Sequence, residues 1–183
     1  MNKIRLAMLL FVASEAVFFI LLIVAYVVYH ATSPSAADPS RYLDIPRTAV
    51  FTACLIASSF TMWRAAIDLR TGRRKPAFAW LLATMALGAV FLAGQGSEYL
   101  SLFKQNMTIS RDLFGTTFFT LTGFHGLHVL IGLIMLGTLL GLELKRGVTG
   151  RPSKAVEGVS IYWHFVDAVW MVIFPVVYLW VLR

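Results

Sequence analysis

The chain has 183 residues, of which 58% are hydrophobic and 14% are charged. A soluble domain carries about 25% charged and about 45–50% apolar residues. Because a globule of this size cannot hide so much apolar surface, the composition excludes an ordinary soluble domain. The formal net charge is +7, but the basic residues lie between apolar segments and are first interpreted as signals of membrane topology. The single cysteine, Cys54, excludes an internal disulfide.

Apolar segments predict the helices. A hydrocarbon core about 30 Å thick requires roughly 20 apolar residues per helix. Pro76 suits the first turn of a helix, and Gly137 with Gly141 forms a small-xxx-small pair typical of helix packing. The predicted fold class is an all-α membrane protein, a five-transmembrane-helix bundle in a single membrane domain spanning 1–183. The predicted helices are 6–29, 48–63, 76–97, 112–142 and 156–182.

The distribution of basic residues predicts the orientation. Most of the sixteen Lys and Arg residues lie at the N-terminus and in the second and fourth connections. By the positive-inside rule, these parts are cytoplasmic and the C-terminus is periplasmic, in a bacterial cytoplasmic (inner) membrane. The residues on the predicted cytoplasmic side are Lys3, Arg5, Arg64, Arg70, Arg73, Arg74, Lys75, Lys145, Arg146, Arg151 and Lys154.

Three ionisable residues lie deep within predicted helices. At 1.5 Å per residue, Glu15 and Asp167 lie roughly 14 and 16 Å from the cytoplasmic end, and His125 lies roughly 20 Å from the outer end. A charged group at this depth costs at least about 2.5–3.5 kcal/mol on insertion scales, so each needs a partner or a function. We expect one buried polar cluster that joins three helices. It is either a proton-exchanging or lipid-contacting site or, as we favour, a set of interhelical hydrogen bonds.

The histidines are candidate metal ligands. His125 and His128 are three residues apart and share a helix face, as do His164 and Asp167. A transverse b-type haem requires two histidines at matching depth on different helices, and His125 with His164 is the best such pair. His164 lies only about 12 Å from the cytoplasmic end, and a local hydrogen bond to Asp167 accounts for it. We therefore expect neither metal nor haem ligation.

Four segments resemble one family of membrane proteins. Residues 14–19 resemble the Ser-Glu-x-x-Phe-Phe signature of subunit III of cytochrome c and quinol oxidases, and residues 123–129 resemble its Gly-Phe-His-Gly-Leu-His-Val segment. Residues 162–170 resemble its last helix, and residues 95–99 resemble the element that ends its middle helix. The segments occur in family order and cover most of the chain. The full-length family fold has seven helices, so five helices are similar to the short bacterial form.

The resemblance implies a non-redox subunit III of a haem-copper terminal oxidase, which reduces oxygen with proton pumping. Such a chain has no catalytic residues and binds no cofactor of its own. Haem and copper belong to the partner subunits, namely the catalytic subunit I and subunit II. The resemblance also implies structural phospholipids, support of assembly and sustained proton uptake, and no nucleic acid. It assigns structural, lipid-associated or proton-related roles to Glu15, Glu98, His125, His128, His164 and Asp167.

Alternative functions remain open at this stage. An accessory subunit III-like protein of nitric oxide reductase shares the short form and these motifs. A small membrane b-type cytochrome or a transporter represents a different class. A transporter is disfavoured because the second and third helices carry no charged residue at mid-bilayer depth.

Overall fold

The computed structural model describes residues 3–32, 43–110, 113–145 and 155–179. These residues form helices that are long and apolar enough to cross a membrane, which confirms the predicted all-α architecture and, within the described ranges, the five spans. The N-terminal cytoplasmic orientation stays a prediction. The elements are α1 (Lys3–Thr32), α2 (Ile45–Arg70), α3 (Arg74–Lys104), α4 (Leu113–Lys145), α5 (Ala155–Phe174) and a π-helical segment (Pro175–Leu179).

The helix α2 extends beyond its predicted end at residue 63 and continues to Arg70. Hydropathy marks only the apolar part of a helix, and the helical backbone of α2 continues beyond that part. Near its end, Asp68 forms a salt bridge of 2.7 Å with Arg73, which lies in the connection to α3. Gly72 closes the connection to α3 with a φ of 78°, a conformation in which glycine avoids steric strain. Residues 112 and 180–182, predicted to be helical, lie outside the described residues.

The indole of Trp163 packs at the centre of the bundle. It is fully buried on α5. A methyl group at Gly88 of α3 would lie 2.6 Å from this indole, and one at Gly132 of α4 would lie 2.8 Å from it. The glycines thus form a notch that lets three helices approach closely. Gly137 and Gly141 do not play this part, because a methyl group would be 3.7 Å from Met85 at Gly137 and would meet nothing within 4 Å at Gly141.

The first helix lies at the edge of the bundle and packs against α4 and α5. Its fully buried side chains within the described residues are Phe19 and Tyr26, whereas Leu10 and Leu21 are 65% and 64% exposed. An apolar helix with one packed face must place its other face against lipid or another protein.

Candidate functional site

Glu15 and His128 form a polar pair between α1 and α4. The Nε2 atom of His128 lies 3.1 Å from Oε2 of Glu15, and its Nδ1 atom lies 2.7 Å from the carbonyl oxygen of Phe124. Because a carbonyl oxygen can only accept, Nδ1 carries a proton. The pair is then either an imidazolium with a carboxylate or a neutral imidazole with a carboxylic acid. Both forms have no net charge, which suits the interior of a membrane.

His125 lies in an aromatic cage that comprises Phe19, Phe91 and Trp170. Its ring stacks on Trp170 with centroids 4.7 Å apart, and it meets Phe91 and Phe19 edge to face. The side chain is completely buried, and neither ring nitrogen has a hydrogen-bond partner among the described residues. His125 therefore contributes to the packing of α1, α3, α4 and α5.

Ser59, His164 and Asp167 form a second polar group, here called the α2–α5 triad. The hydroxyl of Ser59 donates a short hydrogen bond to Oδ2 of Asp167 and lies 3.1 Å from Nδ1 of His164. The predicted local bond between His164 and Asp167 is thus replaced by a connection through a serine of another helix. The indoles of Trp163 and Trp170 also donate to hydroxyls of α2, so hydrogen bonds join α5 to α2 along their length.

The single cluster predicted for Glu15, His125 and Asp167 was wrong. Glu15 bonds to His128 and Asp167 bonds to Ser59, whereas His125 lies in the aromatic cage. The prediction used depth along each helix axis, which does not give the direction in which a side chain leaves that axis. The side chain of Glu15 on α1 turns towards α4, whereas the side chain of Asp167 on α5 turns towards α2, so the two meet different partners.

Glu98 is the centre of a third polar group. Its carboxyl group accepts hydrogen bonds from Thr48, 3.2 Å away, and from Tyr178, 2.8 Å away, and the side chain is buried. Tyr178 belongs to the π-helical segment that begins at Pro175. Proline lacks the backbone N–H that an α-helix requires, and a local π-helical adjustment is one way to satisfy the backbone groups that it frees in a membrane helix. The resemblance implied a structural, lipid-associated or proton-related role for Glu98 but did not reveal its partners.

A hydrogen-bonded network next to Glu98 joins α3 to α4. The amide of Gln95 donates to the carbonyl oxygen of Thr122 at 2.6 Å, and the hydroxyl of Tyr99 lies 2.7 Å from that of Thr122. Gln95 and Tyr99 belong to a segment that resembles a family motif, whereas Thr122 was not identified from the sequence. A hydroxyl residue within an apolar helix is the available signal.

A buried ion pair was also missed. Nη1 of Arg74, at the start of α3, lies 3.1 Å from Oε2 of Glu143 near the end of α4, and both side chains are at least 95% buried. The charge pattern identified Arg74 only as a topology signal and did not identify Glu143. The sequence does contain a signal for this pair. Opposite charges lie at the start of α3 and near the end of α4, and the antiparallel arrangement of the two helices brings these ends to the same side of the bundle.

Protein groups occupy the surroundings of His125 and His128. Both ring nitrogens of His128 are within hydrogen-bond distance of oxygen atoms, and aromatic rings enclose His125. Within the described ranges, no three His, Cys, Asp or Glu side chains form a group that could hold a metal ion. The arrangement of polar groups is that of bonds between helices.

Comparison with known proteins identifies the family. The family model described as cytochrome c oxidase subunit III matches residues 1–182. The chain is 37% identical to cytochrome c oxidase subunit 3 of Synechocystis over 93% of its length and 72% of that protein. It is 35% identical to a probable cytochrome c oxidase subunit 3 of Mycobacterium leprae over 97% of its length and 88% of that protein. It is 38% identical to the cytochrome bo(3) ubiquinol oxidase subunit 3 of Pseudomonas aeruginosa, over 85% and 73% of the two chains. The chain therefore belongs to the cytochrome c oxidase subunit III family.

Proposed function

We propose that this chain is the non-redox subunit III of a haem-copper terminal oxidase in a bacterial cytoplasmic membrane. It contacts the catalytic subunit I and subunit II, which hold the haem and copper and reduce oxygen with proton pumping. The observation that carries this function is the match to the family over residues 1–182. The relatives include both a cytochrome c oxidase subunit and a ubiquinol oxidase subunit. The proposed function therefore applies to an oxidase with either cytochrome c or ubiquinol as its electron donor.

The polar groups support a stabilising rather than a reactive role. Glu15, Glu98 and Asp167 each accept or share a hydrogen bond with another helix. Hydrogen bonds of this kind between membrane helices contribute about 0.6 kcal/mol on average and up to about 1.7 kcal/mol. They fix the relative positions of the helices, which a partner subunit needs in order to recognise a constant surface.

Two surfaces suit phospholipid. A groove of about 390 Å³ lies between α3 and α4, and its lining includes Leu92, Gly96, Leu127 and Leu130. An acyl chain fits such an apolar channel. The outer face of α1 is also apolar and exposed, with Leu10 and Leu21 along it. Both surfaces would retain lipid between this subunit and its neighbours.

Support of sustained proton uptake follows from the charge distribution. Basic residues of the second and fourth connections lie on the predicted cytoplasmic side. A charged surface changes the local concentration of ions and buffers. Placed beside the proton entrance of the catalytic subunit, this face would keep anionic proton carriers close to it.

The deciding experiment removes the chain from the oxidase. We expect the remaining complex to start at a near-normal rate, to inactivate after fewer turnovers and to take up protons more slowly. Adding the chain back should restore the lifetime. Unchanged turnover lifetime and proton uptake in its absence would contradict the proposed function.

A further inference from the structure

A small polar cavity, here called the Glu98 pocket, lies between the start of α2 and the end of α3. Its volume is about 40 Å³. Polar or charged side chains line much of it, namely those of Asp44, Arg47, Thr48, Glu98 and Ser101. It therefore differs from the groove between α3 and α4, whose lining is largely apolar.

The pocket reaches the surface at one end of the bundle. Asp44 and Ser101 are exposed, and they lie next to the first residue of α2 and three residues before the last residue of α3. Thr48 and Glu98 are only 6% and 7% exposed. The pocket thus joins exposed polar groups to buried ones, and it gives Glu98 a polar route to the surface at this end.

An aromatic ring separates the pocket from the interior of the bundle. Phe51 lies about one turn deeper than Thr48 on α2, and Gly94 lies about one turn deeper than Glu98 on α3. The ring of Phe51 packs so closely on Gly94 that an added methyl group would clash with it. Because this ring has no hydrogen-bonding group, it interrupts a polar route from Glu98 towards the opposite side of the membrane.

The pocket has the size and the polarity that ordered water requires. A buried water molecule needs about 10–15 Å³ of accessible volume and two to four polar partners, so there is room for about three water molecules. Thr48 and Tyr178 each bond to one oxygen of the Glu98 carboxyl group, which leaves further hydrogen-bonding positions on it. Since water donates as well as accepts, it can bind there whether the carboxyl group is charged or neutral.

We propose that the Glu98 pocket binds water and that Glu98 takes up and releases a proton through it. On uptake, a hydronium ion in the pocket transfers a proton to the carboxylate, which leaves a neutral carboxylic acid and a water molecule; release is the reverse. The exchange takes place only with the aqueous phase at the start of α2, which the predicted orientation places on the outer side. This inference goes beyond the proposed function and does not depend on it, because it needs only the pocket and a membrane.

The charged groups that face Glu98 oppose each other. Asp44 and Arg47, at the start of α2, act on its carboxyl group with opposite signs. Tyr178 of the π-helical segment and Tyr99 of α3 are the other titratable groups near it in the described part of the chain. A carboxyl group sealed in hydrocarbon has no route by which to gain or lose a proton, whereas a water-filled cavity supplies one.

Infrared spectroscopy of the purified native complex tests the exchange. The absorption of the neutral carboxylic acid of Glu98 is assigned by its loss in Glu98→Gln. We expect this absorption to appear and disappear reversibly with pH, and Ser101→Leu, which places an apolar side chain at the opening, to slow its response to a pH jump. The matched control is Gln105→Leu, at an exposed position one turn beyond Ser101 and outside the pocket. No change of the absorption with pH, or equal rates in the two leucine variants, would overturn the inference.

A pH step on one side of a vesicle tests the direction of the exchange. The complex is reconstituted in one orientation. A maleimide that cannot cross the membrane labels Ser101→Cys, in a chain that also carries Cys54→Ser, and so identifies the side on which the pocket opens. We expect the Glu98 absorption to respond to a pH step on that side alone. A response to the opposite side, or to neither side, would refute one-sided exchange. The proposed function fails by a different result, the absence of subunits I and II from the complex, so the two failures are distinguishable.

Discussion

Replacing Gly132 by alanine perturbs the point where four helices meet at Trp163. The new methyl group would lie 2.8 Å from the indole. The indole of Trp163 cannot move away freely, because Gly88 of α3 packs against its other side. The Nε1 atom of Trp163 also donates a hydrogen bond of 3.0 Å to the hydroxyl of Ser58. A shift must therefore either weaken this hydrogen bond or separate α4 from α5.

The expected loss follows from overpacking. Extra methyl groups in a well-packed interior typically cost about 1–3 kcal/mol. The matched control is Gly141→Ala on the same helix, where the added methyl group meets nothing within 4 Å. Both substitutions exchange glycine for alanine in α4, so their backbone effects largely cancel. We expect the free energy of unfolding to fall by about 1–3 kcal/mol more for Gly132→Ala than for Gly141→Ala.

The assay is reversible unfolding of the purified chain in mixed detergent micelles, followed by tryptophan fluorescence. Adding Trp163→Phe to Gly132→Ala provides an internal check, because the smaller ring should recover part of the loss and make the two changes non-additive. Equal stabilities of the two alanine variants, or strict additivity in the double variant, would refute the packing described for this notch.

Three further substitutions test the polar groups. Glu143→Gln removes the carboxylate charge that faces Arg74 in the buried pair, so the free energy of unfolding should fall by about 3–5 kcal/mol; a loss below 1 kcal/mol would contradict the buried ion pair. Tyr178→Phe deletes a buried hydrogen bond and should cost about 1–3 kcal/mol, whereas the same change at Tyr29, which is 45% exposed, should have little effect in the same unfolding assay. Glu15→Gln should give an assembled oxidase with a modestly shorter turnover lifetime, and complete loss of oxygen reduction would show that the chain is not a non-catalytic subunit.

The helices could be predicted because hydropathy and length together decide whether a segment crosses a bilayer. The end of α2 could not, because the backbone continues beyond its apolar part to Arg70. The position of Pro76 in the first turn of α3 agrees with the structure, since α3 begins at Arg74. The π-helical segment is harder to foresee, because proline can also kink or end a helix.

The polar residues, like the helices, could be predicted only in part. The sequence identified Glu15, His125 and Asp167 as polar residues far from their helix ends, but the predicted pairing was incorrect, because position along a helix does not determine direction around its axis. The partners of Glu15 and Asp167 are His128, which was considered, and Ser59, which was not. A hydroxyl residue within an apolar helix indicates a hydrogen bond between helices, but it does not identify the partner.

Isolation of the native complex tests the central claim most directly. The chain would be tagged, extracted from its own membrane in mild detergent and purified, and its neighbours would be identified by mass spectrometry with an optical spectrum of the same sample. The account predicts equimolar subunits I and II, haem absorbance and oxygen reduction. A chain that purifies without a haem-containing partner, or that shows haem absorbance when it is the sole polypeptide, would contradict it.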